Sequence, residues 1–322
     1  MVKRNIKNLQ DILLYIGPEY TLETVENILG SNYKILTPEA VPDKVIPIFE
    51  ECNIFFDASM KVPVTAQNIF KAQNLKLIIT ATTGASHIDQ KALEQRGVPL
   101  LTLKGQKEIL KELTPAAEQS WLLLMACARH LRDAIHHVED SQWNRVEFPG
   151  IMLKGKTIGI IGLGRIGSWM ARYASAFGMK VQAYDPFNDE VNDGIEMVDI
   201  NHLLSTSDFI TVHVHLTPET AQIIDAERIK LFKRGSIFIN TSRAELVDVN
   251  ALVDALKEEH IAAIGVDVLF NEPDIKNDPL WQHSIDHYNV IISPHIGGYC
   301  PEAVIKVVEF SAKRILKYFT ND

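Results

Sequence analysis

A glycine-rich stretch near the middle of the 322-residue chain, GIIGLGRIG, most constrains its possible fold. The spacing Gly162-x-Gly164-x-x-Gly167 follows a strand-like segment, KTIGII, and opens a helix-like one, RIGSWMARYASAFG. Glycines at these positions allow a tight turn, close approach of the backbone to a pyrophosphate, and tight packing of the helix on the strand. The stretch therefore predicts a dinucleotide-binding βαβ unit.

The residues after the first glycines indicate which dinucleotide binds. We expect the phosphates at the helix N-terminus, near Arg165 and Ile166. The second strand of the unit, KVQAYD, ends in Asp185, where an acidic side chain can bind the ribose hydroxyls and repel the 2′-phosphate of NADP. This favours NAD. The competing interpretation is that Asp185 only begins the turn at Pro186.

A glycine stretch of this kind usually begins its own domain, and here it lies near the middle of the chain, so we expect another domain before it. A length of 322 residues also favours two domains. Short apolar runs alternate with amphipathic ones in both halves, a pattern typical of βα units around parallel sheets. The predicted strands are DILLYIG, YKILTP, NIFFDAS, LKLIITATTG and VPLLTL in the first half, and TIGIIG, KVQAYD, FITVHV, SIFINTS, IAAIGVDV and NVIISP in the second.

Helical segments predict how the two domains connect. A long helix signal with Pro115 near its first turn, TPAAEQSWLLLMACARHLRDAIHHVED, is expected to bridge them. The last amphipathic segment, PEAVIKVVEFSAKRILKYF, has no strand after it and is expected to fold back onto the first domain. Two shorter helices of that domain end on Gly30 and Gly97, which suit C-caps. The prediction is an α/β protein with doubly wound parallel-sheet domains at 1–114 with 297–322 and at 115–296.

Composition narrows the possible partners and compartment. A net charge of −9 argues against nucleic acid or an anionic membrane as a general partner. The cysteines, Cys52, Cys127 and Cys300, are far apart and odd in number, so we predict neither disulfides nor a metal site. The N-terminal MVKRNIKNLQ lacks the apolar run of a secretory signal, and the run Trp121–Ala128 is too short to cross a bilayer. We expect a cytoplasmic enzyme or binding protein.

Five motifs occur in a fixed order after residue 150: GLGRIG, HVHLTPETAQII, LFKRGSIFINTSRAELVDVNAL, GVDVLFNEP and SPHIGG. With them, nearly all of residues 75–300 resembles the D-isomer-specific 2-hydroxyacid dehydrogenases. Matched motif by motif, the resemblance implies that Arg243, Glu272 and His295 are the active-site residues. It also implies that a Rossmann NAD-binding domain is inserted into a flavodoxin-like substrate domain and faces it across a cleft. A homodimer formed through the cofactor domains and the long helix is implied as well.

The three residues also make chemical sense by themselves. Reduction of a 2-keto acid needs a carboxylate clamp, a hydride donor and a proton donor. The Arg243 guanidinium binds a carboxylate in a bidentate fork, and the His295 imidazole exchanges protons near neutral pH. Glu272 would hold the imidazolium and raise its pKa. Taken singly, each residue also has a structural interpretation: Arg243 as a surface cation, His295 as a core histidine and Glu272 as a loop carboxylate.

Further assignments depend on the resemblance alone. ATTGASHID matches the glycine turn whose amides meet the substrate carboxylate, a role that falls to Thr83 and Gly84, although such a turn needs a glycine for backbone reasons too. The remaining matched residues are Asp267, near the nicotinamide carboxamide, Thr241 and Ser242, which flank that pocket, and His213.

The chain departs from the family at three places. Ala244 replaces a usual glycine, which predicts an ordinary backbone there, and His215 replaces a usual proline. LTLKGQKEILKELTPAAE replaces a shorter loop, and its Lys104, Lys107 and Lys111 either meet a second anionic group of the substrate or form a solvated loop.

The function hypothesis is an oxidoreductase that transfers hydride between NAD(H) and C2 of a small 2-hydroxy or 2-keto acid. Two alternatives stay open at this point. One is an NAD-binding sensor or corepressor-like protein on the same fold, and the other is a dehydrogenase of another small anion, formate or phosphite.

Overall fold

A computed structural model describes residues 10–188, 194–287 and 289–320. The chain divides into two compact units. The first runs up to Leu113 and resumes at Tyr299, and the second comprises Thr114–Gly298. Each unit is built around one parallel sheet with helices between its strands. The predicted α/β class, with two doubly wound parallel sheets, is confirmed.

The first unit contains all five strands predicted for it. Its elements up to residue 111 are β1 (Ile12–Ile16), α1 (Leu22–Leu29), β2 (Lys34–Leu36), α2 (Pro42–Glu51), β3 (Ile54–Asp57), α3 (Ala66–Lys71), β4 (Leu77–Thr80), α4 (Gln90–Arg96), β5 (Leu100–Leu101) and α5 (Lys107–Lys111). The sheet order β2-β1-β3-β4-β5 is that of flavodoxin-like folds. The central strands are apolar on both faces because helices cover both sides of the sheet.

The second unit has the strand order of a Rossmann fold. Its elements are α6 (Pro115–Ala128), α7 (Leu131–Glu139), β6 (Thr157–Ile161), α8 (Arg165–Ala176), β7 (Lys180–Tyr184), β8 (Ile195–Met197), α9 (Ile200–Thr206), β9 (Phe209–Val212), α10 (Ala226–Lys230), β10 (Ser236–Asn240), α11 (Val249–Lys257), β11 (Ile261–Val266), α12 (Pro279–Asp286) and β12 (Val290–Ile292). The order β12-β11-β10-β9-β6-β7-β8 places β6 at the point where the strand order reverses.

The last helix, α13 (Pro301–Thr320), belongs to the first unit and packs against α1. Its apolar face, which includes Val308 and Ile315, is buried in the core formed with β1, β3 and β4. Arg314 donates a hydrogen bond to the carbonyl oxygen of Thr102 at 2.6 Å and so fixes the chain after β5. None of the described helices is long and apolar enough to span a membrane.

Two local predictions were wrong, and a third holds in part. The long bridging helix is divided into α6 and α7, because His130 adopts a left-handed conformation (φ 50°) that ends one helix and starts the next. Gly30 and Gly97 both occupy the C-cap position, as predicted, but only Gly97 is left-handed, with φ 65°, whereas Gly30 has φ −62°. The second sheet has seven strands, whereas the sequence predicted six. Strand β8 was not predicted because it is too short and too exposed to give an apolar run.

Candidate active site

Most of the predicted site residues lie at one edge of the second unit's sheet. Because the strands are parallel, their carboxyl ends meet at that edge, where open α/β sheets bind ligands. The residues that directly follow the strands, in spatial order, are Ser293 after β12, Asp267 after β11, Thr241 after β10, His213 after β9, Gly162 after β6 and Asp185 after β7. The sheet therefore aligns the glycine turn with the arginine and histidine loops.

The glycine turn has the geometry that a pyrophosphate needs. Gly162 is left-handed (φ 91°), and a Cβ there would lie 2.8 Å from the carbonyl oxygen of His213. A Cβ on Gly167 would overlap the carbonyl oxygen of Gly162, so α8 packs directly on the turn. Gly164, at the N-cap of α8, meets nothing within 4 Å of an added Cβ, and as a glycine it has no side chain to cap the helix. The first-turn amides, including those of Arg165 and Ile166, thus suit the phosphates of NAD.

Asp185 is held beside the same turn. Its Oδ2 accepts a hydrogen bond from the backbone amide of Leu163 at 2.8 Å, and its Oδ1 accepts one from Phe187 at 3.0 Å. The second contact forms the turn anticipated at Pro186, while the first links the carboxylate to the glycine loop. Asp185 stays half-exposed, so its charge remains available to ribose hydroxyls.

Arg243 is positioned by the end of β10. The buried Asn240 side chain donates from Nδ2 to the carbonyl oxygen of Arg243 at 2.8 Å and accepts from the Ser242 amide at 2.9 Å. The Ser242 hydroxyl donates to the carbonyl oxygen of Val212 at 2.9 Å, which links the loop to β9. The backbone then enters a 3-10 turn, Ala244–Leu246, and Ala244 keeps an ordinary conformation, as predicted.

His295 and Glu272 form a hydrogen-bonded pair, with 2.8 Å between Nδ1 of the imidazole and Oε2 of the carboxylate. The hydrogen bond to Glu272 is the largest influence on the histidine and raises its pKa. The negative charges of Glu272 and Asp267 act in the same direction, whereas burial and the Arg243 guanidinium lower the pKa. The structure therefore brings Arg243, Glu272 and His295 into one electrostatic group. Since Nδ1 faces Glu272, Nε2 is the ring nitrogen outside this hydrogen bond.

The turn that carries His295 is fixed by Asp267. This carboxylate is 1% exposed. Its Oδ2 accepts from the amide of Gly297 at 2.7 Å, and its Oδ1 accepts from the amide of Ile296 at 3.0 Å and from the Ser293 hydroxyl. The sequence matched Asp267 to the nicotinamide pocket but gave no sign of these contacts.

Helix α6 adds two polar contacts that the sequence did not predict. Gln119 donates from Nε2 to the Ser293 hydroxyl oxygen at 2.9 Å, and the hydroxyls of Ser120 and Thr241 lie 2.7 Å apart. The partners are more than one hundred residues apart in the chain, so no local pattern signals them.

His213 lies beside the glycine turn with its ring directed into the protein. Its Nε2 and the Thr211 hydroxyl are 2.8 Å apart, and its Nδ1 is buried. Burial lowers the pKa of His213 to about 3, so the ring is neutral at neutral pH. The residue thus adjoins the cofactor loop through its backbone, and its ring is unsuited to acid catalysis.

The predicted substrate turn belongs to the first unit, where it follows β4. Thr83 is exposed and Gly84 half-buried, and the Thr82 hydroxyl donates to the carbonyl oxygen of Gly84 at 2.6 Å. A buried pair that the sequence did not signal, Asp57 and His87, supports the same turn, with 2.8 Å between Oδ2 and Nε2. The three lysines of the long loop, Lys104, Lys107 and Lys111, are exposed.

Comparisons with known proteins agree with this geometry. Residues 121–297 match the D-isomer specific 2-hydroxyacid dehydrogenase NAD binding domain. The chain is 40% identical over 263 residues to a D-3-phosphoglycerate dehydrogenase of Methanocaldococcus jannaschii, a match that covers 80% of this chain and 48% of that protein. It is 35% identical over 275 residues to a hydroxypyruvate reductase of Thermotoga maritima, which covers 85% and 87% of the two chains.

Among solved structures, D-lactate dehydrogenase from Aquifex aeolicus, complexed with NAD and lactic acid, superimposes with a TM-score of 0.80 at 26% identity. That match covers 97% of this chain and 96% of the other. The chain spans about half the length of the phosphoglycerate dehydrogenase and nearly all of the lactate dehydrogenase. On these grounds, together with the arrangement at the sheet edge, the chain belongs to the family of NAD-dependent D-isomer-specific 2-hydroxyacid dehydrogenases.

Proposed function

We propose that this protein catalyses the reversible NAD-linked conversion of a small 2-hydroxy acid into its 2-keto acid. The observation that carries the proposal is the hydrogen-bonded pair of His295 and Glu272, within electrostatic reach of Arg243, at the edge of the sheet that also bears the glycine turn. This arrangement combines a proton donor, an anion clamp and a dinucleotide cradle.

Arg243 serves as the carboxylate clamp. Its guanidinium stays charged at any physiological pH and offers a planar fork of N–H donors that fits a carboxylate. One of those donors, Nη1, binds the neighbouring carbonyl oxygen of Ser242 at 2.6 Å, which restrains the side chain and leaves further donors for the substrate. Asn240 fixes the backbone on which this side chain is mounted.

His295 serves as the acid in reduction and as the base in oxidation. Glu272 raises the pKa of the imidazole, so more of it carries the proton that the carbonyl oxygen must receive. In the opposite direction the neutral imidazole takes the proton from the C2 hydroxyl. The hydrogen bond at Nδ1 orients the ring and assigns the exchange to Nε2.

Bound NAD supplies the group that accepts or donates the hydride at C2. The residues suited to hold it are the glycine turn with Arg165 and Ile166 for the phosphates, and Asp185 for the ribose. Thr241, Ser242, Asp267 and the backbone of His213 follow neighbouring strands and would surround the nicotinamide. Thr83 and Gly84 would bind the substrate carboxylate through their amides.

The side chain of the substrate has to be identified by assay, because two similar proteins are named for different substrates, D-3-phosphoglycerate dehydrogenase and hydroxypyruvate reductase. The test follows NADH absorbance with a panel of 2-keto acids, with and without a second anionic group. Oxidation of NADH by at least one keto acid is expected. Tight NADH binding without turnover would favour a sensor, and reduction of NAD by formate or phosphite alone would favour another dehydrogenase.

A variant assigns any activity to the proposed site. His295→Asn removes the acid and is expected to lower kcat by about 10² to 10⁴ while the Kd for NADH stays unchanged. The matched control is His202→Asn, because His202 is an exposed histidine on α9. Full activity of His295→Asn would refute the mechanism.

We further propose a homodimer formed through the second unit. Leu131, Ile135 and Val138 share one face of α7 and are each about half exposed, and Trp143, in the segment that follows, is 90% exposed. Such apolar exposure is typical of a surface that another protein chain covers. Sedimentation of the native protein against Ile135→Glu tests it, with a shift to monomer expected. We expect the cytoplasm as the compartment, because Cys52 and Cys127 are buried thiols that form no disulfide.

A further inference from the structure

We propose that Gln119 and Ser293 are positioning residues for His295, which they hold in place through a hydrogen-bond relay that ends on the buried carboxylate of Asp267. The inference rests on the acid–base role proposed for His295. Ser293 begins the SPHIGG motif but was given no role there, and Gln119 lies outside all five motifs.

The donors and acceptors of the relay allow its hydrogen bonds to be donated in one direction only. The amide nitrogen of Gln119 donates to the Ser293 hydroxyl oxygen at 2.9 Å. A serine hydroxyl has a single proton, and an ionised carboxylate is an acceptor only. The Ser293 proton therefore points to Oδ1 of Asp267. The order is amide to hydroxyl to carboxylate, and Gln119 sets it by occupying a lone pair of the hydroxyl.

The turn needs this support because His295 has an unfavourable backbone conformation. Its φ of 53° lies in the left-handed region, which is unfavourable for a residue with a side chain. Such a conformation persists when its surroundings determine it. Asp267 does so from both sides of the histidine, through Ser293 before it and through the amides of Ile296 and Gly297 after it.

The close approach at Gly297 shows how tightly the turn is held. A Cβ at this position would lie 2.9 Å from Oδ2 of Asp267, 3.6 Å from Cβ of Gln119 and 3.7 Å from Cα of Ala116. The turn therefore lies close against the Asp267 carboxylate and within ordinary van der Waals reach of the first turns of α6. A change at Gln119 therefore acts on the histidine through Ser293 and Asp267.

Three charged groups act on the imidazole: Glu272, Arg243 and Asp267. Of these, Glu272 acts most strongly, through a hydrogen bond that depends on the place of the ring. If the relay is lost, the turn relaxes and the ring leaves its optimal position against Glu272. The pKa of His295 then falls toward the ordinary value of histidine.

The test compares Gln119→Met and Ser293→Ala with two matched controls. Methionine keeps the length of the glutamine side chain without its donor. Ser293→Thr retains the hydroxyl, and Glu118→Met makes the same substitution at the next, exposed residue of α6. The measurements are kcat, KM for the keto acid, Kd for NADH, and the pKa of the His295 imidazole by NMR titration, assigned with His295→Asn.

We expect Gln119→Met and Ser293→Ala each to lower kcat by about tenfold and to lower the pKa of His295, with an unchanged Kd for NADH. The controls should behave as wild type. The double variant should be no worse than Ser293→Ala alone, because both residues act through one chain of contacts. An unchanged pKa of His295 in Gln119→Met, or additive losses in the double variant, overturns the proposal. The NMR titration needs no substrate, so it judges the relay even if no keto acid is turned over.

Discussion

Oε2 of Glu272 lies 2.8 Å from Nδ1 of His295, and this hydrogen bond is the main reason that the pKa of the histidine is raised. A raised pKa keeps the imidazole protonated to a higher pH. In the proposed mechanism, reduction of a keto acid consumes that proton, so we expect the reaction to stay active to a higher pH than an ordinary histidine would permit.

Glu272→Gln preserves the shape of the side chain and removes its charge. The pKa of His295 should fall, and above that pKa each unit of decrease costs about tenfold in the protonated fraction. The basic limb of the profile of reductive kcat/KM against pH should move to lower pH. Glu245→Gln, at an exposed glutamate near Arg243, serves as the control. A basic limb at the wild-type position would contradict the role of Glu272.

Two glycines of the cofactor turn should respond differently to alanine. At Gly167 a Cβ would overlap the carbonyl oxygen of Gly162, so Gly167→Ala should lower both stability, by about 1–3 kcal/mol, and NADH affinity. At Gly164 the added methyl group meets nothing within 4 Å, and φ is −73°. Gly164→Ala should therefore melt as the wild type does but bind NADH more weakly, because its methyl group enters the space proposed for the pyrophosphate.

The comparison needs both a thermal melt and a fluorescence titration of NADH. Unchanged NADH affinity in Gly164→Ala would place the phosphates elsewhere. Equal losses of stability in the two variants would show instead that the space at Gly164 is needed for folding.

Asp185 should determine the choice between NAD and NADP. Asp185→Asn retains an acceptor for the Leu163 amide while removing the charge that repels a 2′-phosphate. The ratio of kcat/KM for NADH to that for NADPH should fall by about tenfold or more, which corresponds to about 1.4 kcal/mol. The control is Glu196→Gln on the neighbouring strand β8. An unchanged ratio would leave Asp185 with its structural contacts alone.

The parts of this protein that the sequence predicts are those with a local signature. The glycine turn and the buried strands follow from residue types at fixed spacings, and the ordinary backbone conformation at residue 244 follows from the alanine there. The break at His130 does not, because histidine carries no strong helix-ending signal. Strand β8 was not predicted either, because three partly exposed residues are too few to show the alternation of apolar and polar residues that is typical of a strand.

The supports of the site have no local signature at all. Gln119 and Ser293 are 174 positions apart, and the 30 positions between Asp57 and His87 include other elements. Only the fold reveals such pairs. The sequence thus locates the groups that act on a substrate more readily than the groups that hold them.

The buried pair of Asp57 and His87 should stabilise the predicted substrate turn. Asp57, at the end of β3, is 1% exposed and accepts hydrogen bonds from the amide and hydroxyl of Ser59 and from the amide of Met60, as well as contacting the His87 ring. The carbonyl oxygen of His87 in turn accepts from the amide of Val64 at 2.8 Å. The pair therefore fastens the loop after β3 to the turn after β4.

His87→Ala leaves the Asp57 carboxylate buried without its ring partner, which should cost about 1–3 kcal/mol in the free energy of unfolding by urea. The turn with Thr83 and Gly84 should also loosen, so KM for the keto acid should rise while the Kd for NADH, bound by the second unit, stays the same. Ser86→Ala, at the exposed residue beside it, is the matched control. A loss below about 0.5 kcal/mol, the range of ordinary surface substitutions, would mean that the Ser59 and Met60 contacts alone hold Asp57 and that the histidine is dispensable.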